Sequence, residues 1–183
     1  MTKQFSSYEE YLSLNSVLGA SDFLSQDTSQ RCFLICHQVT ELWFSIMISE
    51  LRTFTENSGI SSLMRADSVM HQVNGTWDVL ASIALPDFSR IREQLQGISG
   101  MGSAQYFELD SLIDKCKPHC QTTEEISLLS KIDSSLAQWK FSHAMLTKKL
   151  LGNERGTGGT AGADYLVKKG FEAKITHEDL KKF

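Results

Sequence analysis

The sequence predicts an all-α protein, a single-domain helical bundle taking in residues 1–183. Three observations predict it. Apolar residues recur at three- and four-residue intervals over long stretches. Only two prolines, Pro86 and Pro118, interrupt them. No stretch alternates apolar and polar side chains as a half-buried strand would, and no internal repeat is present.

The first element spans residues 7–18, where Tyr8, Tyr11, Leu12, Leu14 and Leu18 keep helical spacing and Gly19 offers a left-handed end. A polar connection, residues 22–30, follows. The second element, residues 29–54, is the most apolar. Its sequence RCFLICHQVTELWFSIMISELRTF is hydrophobic nearly all round, as in a helix buried on most faces. A third, residues 62–84, carries Leu63, Val69, Val73, Trp77, Leu80 and Ile83. Asp87 reads as the N-cap of a fourth, residues 88–96, which closes on the glycine-rich turn GISGMGS. The fifth covers residues 103–115. The sixth, residues 123–151, is capped by Thr122 or Thr123, and Glu124 and Glu125 favour its positive end.

Beyond it, the loop NERGTGGTAGADYL packs four glycines into residues 156–162, too many for a helix or strand interior. A short helix is expected to restart at Asp164. The charged tail, residues 167–183, is expected to be loosely ordered.

Composition narrows the function classes. The 183 residues are 41% hydrophobic and 22% charged, a globular balance with length enough for a core. Net charge is −4, from 18 basic and 22 acidic side chains, so no basic face favours nucleic acid. No apolar run is read as approaching the roughly 20 residues of a membrane span. The N-terminus lacks a basic start followed by an apolar run, so no secretion signal is read there and a cytoplasmic location is the default expectation.

The cysteines form two i, i+4 pairs, Cys32/Cys36 and Cys116/Cys120. Disulfides do not suit a reducing cytosol. Cys116, His119 and Cys120 fall in one short segment without a second ligand pair, a weak zinc pattern.

Two histidines stand within apolar helices: His37 among Ile35, Cys36 and Val39, and His143 between Phe141 and Met145. Each alone is more often a hydrogen-bonded core residue than a ligand. A buried imidazole needs a partner for each ring nitrogen, and metal ligation with an outer acceptor supplies both. Haem iron commonly takes one proximal histidine, while the opposite pocket controls how oxygen is used. Sequence spacing leaves open whether these two flank such a group. The glycine loop lacks the lysine of a P-loop and the GxGxxG of a dinucleotide site, so a loop closing over a pocket fits it better. Thr157 and Thr160 there offer hydroxyls to an anion. Arg90 and Arg92 are either solvated or a fork for a carboxylate.

Four ordered blocks carry a resemblance. CFLICHQVTELWFSIMISEL resembles the histidine-bearing helix of the tryptophan 2,3-dioxygenase family, and LPDFSRIREQLQGISGMGSAQYFELD its arginine helix and serine-glycine turn. WKFSHAMLTKKLLGNERGTGGTAGADYL resembles the haem-ligand helix and substrate loop, and YEEYLSLNSVL the opening helix. Together they cover well over half of the chain.

The resemblance implies a b-type haem held by His143 as proximal iron ligand, with His37 as the distal histidine near a substrate indole nitrogen. Phe33 would line the aromatic pocket, Phe88 would stack on the indole and Arg92 would hold the amino-acid carboxylate. Ser99 would face the haem edge or its propionate side, and Thr157 would bind the ammonium and carboxylate. Tyr8, Tyr11 and Leu12 match residues that reach into a neighbouring subunit's pocket, which implies a homo-oligomer. The implied reaction inserts dioxygen across the indole C2–C3 bond of L-tryptophan or a substituted tryptophan. Alternatives are a mono-oxygenase of a related aromatic amino acid, with dioxygen or peroxide as oxidant, and a non-catalytic haem or aromatic-ligand binder. Two departures from the family pattern are a short stretch between Ser99 and His143, and Met101 where an aromatic is usual.

Overall fold

A computed structural model describes residues 6–22, 27–95 and 103–151. Among these residues the chain is a bundle of helices, and no strand is present. Helix α1 (Tyr8–Leu12) and helix α2 (Leu14–Gly19) replace the single expected opening helix. The chain breaks at Ser13, whose φ of 53° lies in the left-handed region and whose N–H closes α1 on Glu9 and Glu10 carbonyls. Helical spacing of Tyr8, Leu12 and Leu18 cannot reveal that one-residue reversal.

Helix α3 (Thr28–Asn57) begins where the Asp27 carboxylate accepts from the Gln30 N–H at 2.9 Å, and ends at left-handed Ser58. Helix α4 (Ile60–Ala81) follows after Ser58 and Gly59, so the two pack as a helical hairpin. Helix α5 (Leu85–Leu95) starts three residues earlier than expected, because Pro86 is tolerated in a first turn where its missing N–H costs nothing. Asp87 therefore lies inside the helix rather than capping it. Its carboxylate accepts from Ser29 Oγ at 2.8 Å and pairs with Arg90 at 2.8 Å.

Helix α6 (Ala104–Cys116) is capped by Ser103 Oγ, which accepts from the Tyr106 N–H at 3.1 Å. A 3-10 turn (Lys117–His119) holding Pro118 leads to helix α7 (Thr123–Leu151). Thr122 caps α7 by accepting from Glu125 N–H at 3.1 Å, while the Glu125 carboxylate accepts from the Gln121 and Thr122 N–H groups. That reciprocal arrangement is a capping box.

The main core lies among α3, α4, α6 and α7, with Phe44, Leu51, Phe54, Met70, Leu109 and Ile132 essentially sealed from solvent. Burying each such side chain contributes roughly 1.5–3 kcal/mol. The expectation that no apolar stretch reaches membrane length is corrected by α3. An 18-residue window of it has mean hydropathy 1.4, enough by length and composition to span a bilayer. In the bundle, however, Phe44, Met47, Ile48, Leu51 and Phe54 of this helix form the core.

The cysteines sit in this packing as thiols. Cys116 Sγ donates to the Leu51 carbonyl at 3.6 Å and Cys120 Sγ to the Cys116 carbonyl at 3.7 Å. Burial, then Cys120, pushes the Cys116 thiol up to about 11.

Candidate active site

A second, smaller apolar cluster lies at the other end of α3. Cys36 packs there with Leu80, Ile83 and Ile91, flanked by Cys32, Phe33, Trp77, Phe88, Leu95 and Leu146. About three helical turns of α3, from Trp43 to Phe54, thus serve the main core, and its N-terminal part serves this cluster. Three contacts set the register of α5 against that part. Ser29 bonds Asp87, Arg90 reaches Asp27 at 3.4 Å, and Gln30 meets Gln94. The result seats Phe88 beside Phe33, ring centroids 6.3 Å apart and inclined at 60°. Edge-to-face packing of this kind suits aromatic quadrupoles.

Phe33 also lies against the His37 ring, 4.2 Å between centroids. His37 Nδ1 stands 2.7 Å from the Phe33 carbonyl. A carbonyl only accepts, so Nδ1 carries a proton, and the tautomer with its single proton there presents a bare Nε2. That nitrogen can accept a hydrogen bond from a ligand N–H.

His143 enters from α7. Its imidazole stacks on Trp77 of α4, centroids 5.3 Å apart and 15° from parallel, and on Trp139 of its own helix at 6.0 Å and 23°. Trp77 and Trp139 stand 5.3 Å from each other, and Phe44 meets Trp139 edge-on at 5.2 Å. Asn74 Nδ2 donates to the Ser135 carbonyl at 3.3 Å, tying α4 to α7 one turn away. His143 is half-buried by surface area, yet its ring is hemmed in by protein. Burial first, then the nearby His37, pushes its pKa down from 6.5 to about 4. The ring is therefore neutral at pH 7, with a lone pair on one nitrogen.

The structure thus brings Phe33, His37 and Phe88 together, and places His143 within electrostatic reach of His37. Trp77 joins both groups, touching the small cluster and the His143 ring. Arg92 lies one turn beyond Phe88 on α5 and is half-buried. Arg90, the other arginine of that helix, is tied to Asp87 and Asp27. Tyr8, Tyr11 and Leu12 are exposed on α1, by 71%, 63% and 38%. Ser99, Met101, Thr157 and Thr160 lie outside the described residues, as do the glycine loop and the tail.

Trp77 and Trp139 were not legible as site residues. Trp139 precedes His143 by four positions, a spacing that places both on one helix face. Trp77 carries no such signal, because contacts between helices have no sequence period.

No hydrogen bond reaches either imidazole nitrogen of His143 among the described residues. A neutral imidazole keeps the lone pair that ligation of iron uses, so His143 fits an iron ligand.

The family model for tryptophan 2,3-dioxygenase matches residues 2–125, a stretch that holds Phe33, His37, Phe88, Arg92 and Ser99. Tryptophan 2,3-dioxygenase of Cupriavidus necator is 26% identical, over 88% of this chain and 82% of its own length. That of Polaromonas naphthalenivorans is 26% identical, over 88% and 86%. Both alignments extend over 241 residues although 88% of 183 residues is about 161, so about 80 positions lack a counterpart in this chain. The chain belongs to the tryptophan 2,3-dioxygenase family of haem-dependent oxidoreductases.

Proposed function

We propose that the chain inserts dioxygen across the indole C2–C3 bond of L-tryptophan or a substituted tryptophan, giving an N-formylkynurenine-type product. The observation that carries this reading is the pairing of two imidazoles on different helices. His143 is neutral and free of hydrogen bonds among the described residues, and His37 presents a bare Nε2 beside Phe33 and Phe88.

In this reading His143 holds the iron of a b-type haem, which when bound supplies the activation of oxygen. Non-covalent attachment is supported by the cysteines. Cys32, Cys36 and His37 run C-x-x-x-C-H, one residue longer than the covalent attachment pattern, and burial followed by Cys32 pushes the Cys36 thiol up to about 11. Phe33 and Phe88 clamp the indole between α3 and α5 and keep water from it. His37 Nε2 accepts from the indole N–H and so fixes which edge of the ring faces the cofactor. Arg92 grips the carboxylate through two parallel hydrogen bonds. Thr157 takes the ammonium and carboxylate, and Ser99 lies at the haem edge. Tyr8, Tyr11 and Leu12 complete the pocket of a second copy, for which their exposure on α1 leaves them available. The working form is then a cytoplasmic homo-oligomer.

The test is the mass of the product formed from L-tryptophan by the haem-loaded, reduced chain under isotopically labelled dioxygen. Gain of both labelled atoms in one product supports the proposal; gain of one, or of none, overturns it.

A further inference from the structure

We infer that Trp77 is the residue that orients the His143 imidazole, holding by ring stacking what most metal-binding histidines hold by hydrogen bonding. The inference rests on His143 as iron ligand.

A ligating histidine normally donates its second ring N–H to a carboxylate or carbonyl, and that bond fixes how the ring is turned. His143 has no such acceptor among the described residues. Its ring instead lies nearly parallel to two indoles that also touch each other, with centroids 5.3 Å apart. Trp77 lies 15° from parallel with it at 5.3 Å, and Trp139 lies 23° from parallel at 6.0 Å. Turning this imidazole about its Cβ–Cγ bond would drive one edge toward the Trp77 face.

The two tryptophans are not equivalent. Trp139 sits one turn earlier on α7 and moves with His143, whereas Trp77 comes from α4 and fixes the ring against the rest of the bundle. Trp77 is itself held, by Trp139 at 5.3 Å and by the small apolar cluster. The indole N–H groups of both tryptophans are buried without a hydrogen-bond partner. A phenylalanine would occupy position 77 without stranding a donor, so hydrogen bonding is not what Trp77 contributes there. Its broad flat face is what the site uses.

The consequence is a ligand held in place without an anionic acceptor on its outer nitrogen among the described residues. Such a ring stays a neutral imidazole when bound to iron, where a carboxylate partner would draw its proton away and strengthen its donation.

The test uses the full-length, haem-loaded chain in the ferrous state. Two readouts are the iron–histidine stretching band in resonance Raman and the rate of haem transfer to apomyoglobin. Trp77→Leu is expected to broaden or shift the band and to speed haem release by about 10- to 100-fold, the usual scale for outer partners of a metal ligand. Trp77→Phe, which keeps a stacking ring, is expected to restore a single band near its native position. A lowered melting temperature with an unmoved band and release rate would show packing alone and overturn the inference. Where Trp77→Leu fails to fold, Trp77→Met serves under the same criteria. His143→Gly separates the two levels. It should lose haem and regain it with added imidazole; retained haem with a native band would overturn the assignment of His143 whatever Trp77 does.

Discussion

The rings of Trp77 and His143 lie face to face across the α4–α7 packing, 5.3 Å apart and 15° from parallel. This contact joins the small apolar cluster around Phe33 and Phe88 to the helix that carries the candidate iron ligand. It makes the site a property of four helices, α3, α4, α5 and α7, that only the folded chain assembles.

His143→Ala is expected to abolish haem retention, whereas His37→Ala should retain haem and lose turnover. Absorbance in the Soret region after gel filtration checks both. The asymmetry follows from position. In the proposed reading His143 is the ligand on α7 that carries the iron, while His37 stands beside Phe33 and faces the substrate.

Arg92→Ala should leave the haem spectrum intact and weaken substrate binding. Breaking a buried arginine–carboxylate pair costs about 2–5 kcal/mol, so the dissociation constant for L-tryptophan should rise at least about 30-fold. Equilibrium titration of the haem-loaded variant measures it. Arg90→Ala removes the pairing of α5 with Asp27 instead, and lowers thermal stability more than affinity.

Acid should weaken the haem-free chain in a defined window. His143 has its pKa at about 4 when folded, against 6.5 ordinarily. Between those values the unfolded chain binds the extra proton and the folded chain does not. Stability is therefore full above about pH 6.5 and falls as pH drops toward 4, by up to about 3 kcal/mol. Urea unfolding across that range should show the slope, and His143→Leu should remove it. An unchanged slope in the variant would refute the assignment.

Leu51→Ala tests the division between core and site. Leu51 is fully buried on α3 within the main core. Its truncation should cost about 2–5 kcal/mol, read as a lower denaturation midpoint, with the haem spectrum unchanged.

Much of this fold was legible because helices have a period. The apolar recurrence in residues 29–54 and 123–151 marks α3 and α7 to within a few residues, and the threonine cap of α7 resolves to Thr122. What was hidden depends on single backbone turns or on contacts between elements. Left-handed Ser13 divides the opening helix without disturbing its side-chain spacing. Pro86 and Asp87 look like a boundary in sequence, but Asp87 is committed to Ser29 across the bundle. In the site, Phe33 and His37 lie one turn apart on a single helix and were named from the family resemblance, whereas the four-residue step from Trp139 to His143 offered a signal that went unread. Trp77 belongs to the site only through packing, which no spacing in the chain encodes.

The most direct measurement is a haem titration of the purified chain, with absorption spectra recorded with and without L-tryptophan. One haem per chain, a histidine-ligated Soret band and a shift of that band on adding L-tryptophan are the predicted results. A chain that stays colourless, or a bound haem whose band ignores L-tryptophan, would contradict a site built by His143 and His37 around a shared cofactor.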